Sequence, residues 1–594
     1  MPPLWVDFAD WHHPMQFEAP SAQRCALRAQ EVAKVIHWAE AQAAAGYWVA
    51  GYVTYEAAAA WELPVKLDEA HTPLAWFGRF AAPQAACYPH DLGWHSAQWQ
   101  AEISKARYEA DLAAILQWIE AGDSYQVNHT LRGEITTDTT LQQLFMQRQQ
   151  QYRFPYALYL EAPHRTIASL SPELFFHRQG DRLTTGPIKG TRTRRADPEQ
   201  DWAMAHELEG SAKDQAEHVM IVDMARNDLG QVCQTGTIDV PQLMARRSYA
   251  TVHHLESRVE GCLREQSSLT EIFAALFPAA SITGAPKRRT MEIIQQLEGS
   301  PRSLYCGAVG VIKPGGEALF NVAIRTLEQR TKGPPQVGLG GGIVADSQAE
   351  LEWQELGHKG QFLTQQQPQT QQLGLIETMR LEADGTIAWL ERHLQRLAQS
   401  CRALGIPYNQ QEVLQAIKSY PRRELANRSE PSILRLQYNT NGTLALTHRA
   451  LKRQPQGVRL MLSPWQVDRG DPLLQHKTTR RESLNHLVAM AQKLGCEDVL
   501  LTNTAGQITE CAMRGLMVKQ QGRWQAPPMC DGRQKSLWLE AMEQEMTLNQ
   551  GSFTLAELKE AEALQVGNAI YGTQQVAELI DHKGERLRVY DALG

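Results

Sequence analysis

Three short stretches combine glycine with polar or basic residues in a pattern that suits the binding of a small anion. They are Gly186-Pro-Ile-Lys-Gly-Thr-Arg192, Ser281-Ile-Thr-Gly-Ala-Pro-Lys287 and Gly338-Leu-Gly-Gly-Gly-Ile-Val344. Glycine allows a backbone to approach a ligand closely and to direct its N–H groups at an anion. Thr283 precedes a predicted helix, whose positive N-terminal end would add to such a site. Each stretch alone is more often a turn, but together they indicate a small anionic ligand.

A carboxylate also lies on a predicted apolar helix face. The helix predicted after Lys213 places Val219, Met220 and Met224 on one side, and Glu217 can share that side. A charged residue on a mostly apolar face is unusual.

The composition is that of a folded protein, with 594 residues of which 43% are apolar, 21% charged and 7% aromatic. The net charge of -7 gives no overall attraction to nucleic acid or to anionic lipid, and the chain has no Lys/Arg-rich run of the nucleic-acid type. We therefore expect no nucleic-acid or membrane partner. Local basic residues must bind any anionic substrate.

Targeting and cysteine signals point to the cytoplasm. The segment Met1 to Asp10 lacks the basic start and continuous apolar stretch of a signal peptide, and no window approaches ~18 uninterrupted apolar residues. The nine cysteines are scattered from Cys25 to Cys530 without CxxC or Cys/His ligand spacing. We expect reduced, buried thiols rather than a disulfide framework or a structural zinc site.

One Gln-rich segment indicates how the chain divides. Residues 364–372 read TQQQPQTQQ, with no apolar side chain to bury, which is typical of a linker. A polar helical surface is the alternative, although Pro368 would interrupt it. We therefore predict one domain over residues 1–363 and another over residues 373–594, each large enough for its own core.

Hydrophobic periodicity predicts mixed α and β structure in both domains. In the first, helices are expected over Tyr108–Ala121, where Gly122 provides a C-terminal cap, and before Gly299, where Ile293, Ile294 and Leu297 recur. Apolar runs bounded by Gly or Pro predict strands over 304–312, 318–324 and 337–344. In the second, residues 498–503 and 507–510 flank a Thr-Ala-Gly turn and predict a hairpin.

The first domain contains a series of distinctive motifs. In chain order they are GDSYQVN (122–128), GPIKGTR (186–192), KDQAEHVMIVDMARNDLG (213–230), VHHLES (252–257), FPAASITGAPK (277–287), YCGAVG (305–310), FNVAIRT (320–326) and GLGGGIV through EWQELGHKG (338–360). Together they resemble the chorismate-utilising enzymes, and so many motifs in one order leave little room for a chance match. The resemblance implies a fold of antiparallel β-sheets with flanking helices and chorismate as the substrate.

Lys189, within Pro187-Ile-Lys-Gly-Thr191, separates the branches of this family. Anthranilate synthase-like members carry a small residue there, whereas members that make 4-amino-4-deoxychorismate carry lysine. The resemblance implies that Lys189 attacks ring carbon 2 as the 4-hydroxyl leaves, and that ammonia then enters carbon 4 and expels the lysine. Because lysine normally titrates near ~10.4, it must be desolvated or lie near other cations to react as a free amine. A solvated turn residue is the alternative.

The same resemblance implies roles for other residues of the first domain. Glu217 and Glu355 would hold Mg²⁺, a hard ion that suits one or two carboxylates. Glu173 is the candidate general acid or base and His254 a donor near the leaving oxygen, although either could be purely structural. Arg325 would bind a chorismate carboxylate in a fork that lysine cannot copy. The full set of implied substrate-binding residues is Thr283, Tyr305, Gly307, Arg325, Gly340, Gly341, Gly342 and Lys359.

The source of ammonia is also implied by the resemblance. No cysteine lies in the Gly-x-Cys-x-Gly elbow of a glutamine amidotransferase. Ammonia is therefore expected from solution or from a separate glutaminase subunit.

The second domain contains the motifs IETMR (376–380), LERHLQRL (390–397), KTTRR (477–481) and ITE (508–510), each of which alone could be plain structure. Taken in order, they resemble the fold-type IV pyridoxal-phosphate enzymes, which have an α/β fold and include aminodeoxychorismate lyase. The resemblance implies that Lys477 forms the Schiff base with pyridoxal 5'-phosphate, that Glu510 pairs with the pyridine nitrogen, and that Arg396 and Ser536 bind the phosphate. It also implies a homodimer formed through this domain.

Two segments differ from the usual pattern of this family, so a scaffold that binds no cofactor stays an alternative for this domain. Met513-Arg-Gly-Leu516 stands where a Ser-Asn-Leu-like segment is usual, and Cys530–Ser536 is shorter than the usual phosphate loop.

Together the two resemblances imply an enzyme that aminates chorismate and then eliminates pyruvate to give 4-aminobenzoate for folate synthesis, because the product of the first domain is the substrate of the second. One alternative is an anthranilate synthase-like enzyme attached to an unrelated aminotransferase. The other is a non-catalytic second domain that docks the glutaminase.

Overall fold

The structure is a computed structural model that describes residues 3–11, 13–67, 72–89, 92, 95–249, 252–331, 333–364, 373–424, 430–452 and 457–590. The predicted linker at 364–372 lies outside these residues except for Thr364, which ends a helix. The domain boundaries therefore stay predictions. Within the described residues, no helix is long and apolar enough to cross a membrane.

The strands of the first domain form two antiparallel sheets. In spatial order, the first sheet contains β16 (Gly284–Ala285), β8 (Gln126–Thr137), β20 (Gln336–Ile343), β19 (Thr326–Arg330), β10 (Arg165–Ser171), β9 (Tyr156–Ala162), β1 (Leu4–Phe8), β2 (Met15–Phe17) and β6 (Gln84–Ala85), with β7 (Ala97–Ala101) beside β8. The second contains β13 (Ile188–Thr193), β15 (Val252–Cys262), β12 (Arg182–Gly186), β11 (Leu174–Gln179), β18 (Ala318–Val322), β17 (Ala308–Ile312), β4 (Trp48–Val53), β5 (Ala75–Phe80) and β3 (Ala22–Ala26), with β14 (Asp239–Ser248) beside β15.

The two sheets face each other, and helices cover their outer faces. Leu4 and Leu158 of the first sheet share one buried cluster with Tyr52 and Val309 of the second. The helices against the first sheet are α2 (Lys105–Glu120), α3 (Leu141–Tyr152), α7 (Lys287–Leu297) and α8 (Ala349–Thr364). Those against the second are α1 (Ala29–Ala44), α5 (Ala212–Gly230) and α6 (Leu269–Leu276), while α4 (Pro198–Gly210) packs on β13 and β15. Burial of both sheet faces explains why the first eight residues of β8 are all buried, the polar ones included.

The second domain has a small and a large sheet. The small sheet is antiparallel, with β21 (Gly374–Leu381), β22 (Ser432–Asn439) and β23 (Leu444–Ala450), beside α9 (Leu390–Ala403) and α10 (Gln410–Glu424). The large sheet has the order β26 (Ile508–Cys511), β25 (Asp498–Asn503), β24 (Gly457–Val467), β31 (Gly572–Ile580), β30 (Ala563–Asn568), β27 (Gly515–Gln520), β28 (Arg523–Ala526) and β29 (Asn549–Gln550), with β32 (Arg586–Val589) beside β31. Strand β24 is parallel to both neighbours. The remaining helices are α11 (Glu482–Lys493), α12 (Leu537–Glu545) and α13 (Leu555–Lys559).

The predicted fold class, antiparallel sheets with flanking helices followed by an α/β domain, is confirmed. The predicted helix at 108–121 begins earlier, at Lys105, because the Ser104 side chain accepts a hydrogen bond from the Arg107 N–H and caps it. The strand predicted from residue 304 begins only at Ala308, because Ser303 and Cys306 adopt positive φ angles of 57° and 63°.

Two expectations about burial were wrong. Val219 is 46% exposed, because the buried face of α5 instead carries His218, Ile221 and Val222. All nine cysteines are free, as predicted, but Cys25, Cys87 and Cys530 are exposed rather than buried.

Candidate active sites

Lys189 lies within a cluster of polar groups rather than in bulk solvent. It is on β13, where Gly190 adopts a φ of 79° and shifts the register against β15. The Lys189 side chain is 17% exposed, and its Nζ lies 2.9 Å from Glu217 Oε2 and 3.0 Å from Gln126 Oε1. A Cβ at Gly342 would lie 2.9 Å from the same nitrogen. The absence of a side chain at Gly342 therefore leaves the space that the amine occupies.

Helix α8 presents charged groups to the glycine-rich strand β20. Lys359 Nζ donates to the Gly340 carbonyl at 2.7 Å and lies 2.7 Å from Glu355 Oε1. A Cβ at Gly341 would approach Glu352 Oε2 to 3.3 Å. The positive charges of Lys359 and Lys189 both lower the pKa of Glu355, with Lys359 the larger cause. The predicted pair Glu217 and Glu355 thus shares Lys189 as an electrostatic neighbour.

Glu173 and His254 have opposite pKa shifts with the same main cause. Burial raises the pKa of Glu173 to about 8, although Ser281 Oγ donates to its Oε1 at 2.6 Å. Burial and the nearby Arg325 charge lower the pKa of His254 to about 3. At neutral pH, Glu173 is therefore a protonated acid and His254 a neutral imidazole.

The hydrogen bonds of His254 assign its tautomer. Its Nδ1 lies 3.1 Å from the Gly190 carbonyl oxygen and 2.9 Å from Thr191 Oγ1. Because a carbonyl oxygen can only accept, we assign the proton to Nδ1. Nε2 is buried without a hydrogen-bond partner among the described residues. It is left as an acceptor, whereas the sequence-based expectation was a donor.

Arg325 is a cation without a carboxylate partner in the described part of the chain. It has a φ of 49°, and its guanidinium lies 5.4 Å from the centre of the Phe154 ring. Desolvation lowers its pKa to about 10. An unpaired, desolvated guanidinium next to His254 suits the carboxylate of an anionic substrate.

Three of the predicted substrate-binding residues pack within the protein instead. Thr283 is fully buried, and its hydroxyl donates to the carbonyls of Ala279 and Ala280 in its own turn. Gly307 lies against the backbone carbonyl of Val53, and Tyr305 is 7% exposed, with its ring against Gly338 of β20. Their contacts show packing, so a direct role in binding stays a prediction.

Lys477 and Glu510 of the second domain line one cavity. Burial, with the charges of Arg396 and Arg481, lowers the pKa of Lys477 to about 8. Burial raises the pKa of Glu510 to about 7, although its Oε1 accepts from the Gln534 N–H at 2.8 Å. A lysine with a depressed pKa near an acidic partner is typical of an amine that reacts with carbonyl compounds.

Arg396 is held by a carboxylate that the motif analysis did not assign. Glu377, within IETMR, accepts from Arg396 Nε at 2.9 Å and from its Nη2 at 2.6 Å, and it lies 2.6 Å from His393 Nδ1. Arg396 Nη1 donates to the Lys535 carbonyl at 2.9 Å. These contacts fix the guanidinium at the cavity wall. Ser536 lies at the same wall as the N-cap of α12.

Comparison with known proteins identifies both domains. Residues 81–365 match the profile of the chorismate binding enzymes, and residues 374–579 match that of amino-transferase class IV. The chain is 35% identical over 330 residues to an anthranilate synthase component 1 of Saccharolobus solfataricus, which covers 52% of this chain and 78% of that protein. The chain belongs to the chorismate-binding enzyme family. Its second domain carries the amino-transferase class IV fold, so both predicted resemblances are confirmed.

Other chorismate-binding relatives differ in the product that their names state. An aminodeoxychorismate synthase component 1 of Escherichia coli (strain K12) is 40% identical over 260 residues, which covers 44% of this chain and 57% of the relative. The chain therefore spans little more than half of that relative. A solved structure assigned as a 2,3-dihydroxybenzoate-specific isochorismate synthase of Bacillus anthracis superimposes with a TM-score of 0.52 at 20% identity, covering 61% of this chain and 94% of that one. This likeness supports the fold alone.

The side chains present fit the groups that the two families imply. Glu217 and Glu355 offer the hard carboxylate oxygens that Mg²⁺ accepts alongside water, although the described residues contain no group of three or more His, Cys, Asp or Glu arranged for a metal. Lys477 Nζ makes no hydrogen bond or ion pair among the described residues. With Glu510, Arg396 and Ser536 around the same cavity, the donor set suits a phosphorylated pyridine cofactor.

Proposed function

We propose that the first domain converts chorismate and ammonia to 4-amino-4-deoxychorismate, and that the second eliminates pyruvate to give 4-aminobenzoate. The observation that carries the proposal is the position of the Lys189 amine, 2.9 Å from Glu217 and held in the space that Gly342 leaves open. Lysine at this position is what the chorismate-binding motif carries in members that make the 4-amino product. A surface lysine would have no such surroundings.

The side chains around Lys189 supply the proton transfers that the first reaction needs. The Lys189 nitrogen forms a bond to ring carbon 2 while the bond from carbon 4 to its hydroxyl breaks, and Glu173 gives its proton to the departing oxygen. His254 Nε2 accepts a hydrogen bond from the 4-hydroxyl beforehand and orients it. Ammonia then forms the bond to carbon 4, and the bond between carbon 2 and Lys189 breaks. Arg325 holds a substrate carboxylate throughout.

Magnesium would be held by Glu217 and Glu355, where it would bind a substrate carboxylate and offset negative charge as the hydroxyl departs. Lys189 attacks as the free amine, so its contact with Glu217 has to open before the bond to carbon 2 forms.

Pyridoxal phosphate would be held in the second domain by Lys477, Glu510, Arg396 and Ser536, where it would supply an electron sink. Lys477 moves the proton that leaves the ring as it becomes aromatic and pyruvate departs. Glu377 keeps the Arg396 guanidinium in place. The convergence of these groups on one cavity favours a catalytic second domain over a docking module.

Ammonia would come from a separate glutamine amidotransferase subunit, since this chain has no cysteine elbow for glutamine hydrolysis. The name of the Escherichia coli relative, component 1, is consistent with a second component.

Product identification tests the proposal. The protein is incubated with chorismate, ammonium and Mg²⁺, with and without pyridoxal phosphate, and the products are separated by chromatography and mass. We expect 4-aminobenzoate from the wild type, no aminated product from Lys189→Ala, and accumulated 4-amino-4-deoxychorismate from Lys477→Ala. The exposed Lys583→Ala is the matched control and should behave as the wild type. Anthranilate as the product would refute the proposal and favour the anthranilate synthase-like alternative.

A further inference from the structure

The cavity that contains Lys477 is built by both domains. It has a volume of about 1430 Å³ and is lined at one end by Lys477, Glu510 and Ser536. Its opposite wall comes from the first domain, with Phe154 and Tyr249 among the lining residues. A cofactor and one substrate would fill only part of a space of this size.

The cavity is basic although the chain as a whole is acidic. Arginine and lysine outnumber aspartate and glutamate among the lining residues, whereas the chain carries a net charge of -7. Several of the arginines are neutralised by carboxylates, as Arg194 is by Asp201 at 2.8 Å. Four others are exposed, and their guanidinium groups make no hydrogen bond or ion pair among the described residues. They are Arg195 of the first domain and Arg435, Arg449 and Arg469 of the second.

Three of these four arginines can be placed between the Lys477 end of the cavity and the first domain. Burial and the nearby Arg435 charge lower the pKa of Arg481, and the Arg481 charge is in turn one of the causes that lower the pKa of Lys477. Arg469 lies beside Gly532, in the segment that leads to Ser536. Arg195 is at the first-domain wall, next to the salt bridge between Arg194 and Asp201. They are distinct from Arg396, whose guanidinium Glu377 already holds.

The first-domain wall of the cavity is the back of the Lys189 site. Tyr249 lines the cavity, and its ring centre lies 5.8 Å from that of His254. Phe154 lines it too and contacts the Arg325 guanidinium. Neighbouring residues of β15 point to opposite sides: His253 lines the cavity and lies 3.1 Å from Asp201, whereas His254 faces Arg325. Tyr249 and Phe154 therefore each contact both the cavity and a residue of the Lys189 site.

We propose that Arg195, Arg435, Arg449 and Arg469 form a retention site for a dicarboxylate, which holds the intermediate made at Lys189 until it reacts at Lys477. The inference rests on the proposed function, since 4-amino-4-deoxychorismate carries two carboxylates. An excess of positive over negative side chains along a cleft raises the local concentration of an oppositely charged ligand. An intermediate that leaves the Lys189 site and enters this cavity would meet these cations on its way to Lys477.

Isotope dilution in the full chain tests the retention site. Ring-labelled chorismate is supplied with ammonium, Mg²⁺ and pyridoxal phosphate, together with an excess of unlabelled 4-amino-4-deoxychorismate. We expect the 4-aminobenzoate from the wild type to carry more label than the free pool of intermediate. The triple variant R195A/R435A/R469A should lose this excess, and its rate of capture of added intermediate should fall about tenfold. The same loss is expected in the wild type at ~1 M KCl, where screening acts within ~3 Å.

Two comparisons keep the result specific. Arg523→Ala removes an exposed arginine outside the cavity and should retain the wild-type excess of label. Should the triple variant impair either half-reaction measured alone, the excess of label is measured instead in Arg195→Ala, which changes only the first-domain wall of the cavity, and an unchanged excess there would overturn the retention site. Wild-type 4-aminobenzoate that carries the label of the free pool would overturn the retention site while leaving the proposed function intact. No 4-aminobenzoate from chorismate at all would overturn both.

Discussion

At the scale of single residues, Glu173 gives the first site its clearest pH signature. Its pKa is raised from 4.5 to about 8 by burial, so it is protonated below that value and ionised above it. If Glu173 protonates the leaving hydroxyl, only its protonated form is active. We therefore expect the rate of amination to be level at neutral pH and to fall as the pH rises through about 8. Glu173→Gln should lower the rate about 100-fold or more and abolish this dependence. The measurement is the initial rate of 4-amino-4-deoxychorismate formation from pH 6 to 9.5.

Ser281→Ala is the matched change for this prediction. The Ser281 hydroxyl donates to Glu173 and lowers its pKa, so its removal should move the fall in rate to higher pH. An identical profile in Glu173→Gln and the wild type would show that Glu173 is structural.

The position of Gly342 beside Lys189 predicts that a side chain added there lowers activity without lowering stability. A Cβ there would lie 2.9 Å from Lys189 Nζ and 3.0 Å from Gln126 Cδ, both at the ends of flexible side chains. Gly342→Ala should therefore displace the amine and reduce amination at least about tenfold, while the free energy of unfolding changes by less than about 1 kcal/mol. Gly299→Ala, where an added Cβ meets nothing within 4 Å, is the control. Unchanged amination by Gly342→Ala would mean that the amine does not need this position.

Residue types and motifs could single out Lys189, Glu217 and Lys477 as candidates, because their neighbours in sequence resemble family motifs, and the roles of these residues stay predictions. The contacts of Thr283 could not be predicted, since its burial depends on the turn at Ala279 and Ala280. The tautomer of His254 likewise depends on the bulge at Gly190, which brings a carbonyl oxygen to Nδ1.

At the scale of elements, a buried charge cluster joins β21 to α9. Glu377 on β21 binds Arg396 and His393 on α9. Burial alone would raise the pKa of Glu377, but these two partners outweigh that effect and lower the pKa to about 2. Removing one partner of a buried ion pair leaves the other charge uncompensated and costs about 3–5 kcal/mol. We therefore expect Glu377→Gln to destabilise the second domain by that amount in urea unfolding.

The sign of the pH dependence follows from the lowered pKa of Glu377. Its stabilising contribution is complete above the unfolded value near 4.5 and is lost as the pH falls towards about 2. The difference in unfolding free energy between wild type and Glu377→Gln should therefore shrink over that range. Glu382→Gln, which removes a half-buried carboxylate paired with Arg380 at the end of β21, is the control, and an equal effect of both changes would contradict the prediction.

Helices with a strong 3.6-residue period could be predicted closely, as α2 and α7 show, because one face of each buries apolar residues. Strand ends were harder. The late start of β17 follows from positive φ angles at Ser303 and Cys306, residue types that seldom adopt them, so nothing in the local sequence indicated the turn.

At the scale of the whole molecule, a column of stacked rings crosses from one domain to the other. Trp202 of α4 stacks on Trp465 of β24 with ring centres 6.1 Å apart and planes at 22°. His206 extends the column on one side at 4.8 Å and His486 on the other at 5.2 Å. Both tryptophans could be assigned from sequence only to the cores of their own domains. Their contact depends on how the domains dock, which no local pattern encodes.

This column predicts that the two domains unfold together. Burial of Trp465 across the interface means that Trp465→Ala should cost about 3–5 kcal/mol, and the stacked pair should add about 1 kcal/mol of coupling to Trp202 in a double-mutant cycle. We expect one calorimetric transition in the wild type and two in the Trp202→Ala/Trp465→Ala variant.

Because the same interface closes the arginine-lined cavity, the variant should also release more free 4-amino-4-deoxychorismate. Trp524→Ala, a half-buried tryptophan of β28 outside the column, should leave the number of transitions unchanged. Two transitions already present in the wild type would show that the ring column does not couple the domains.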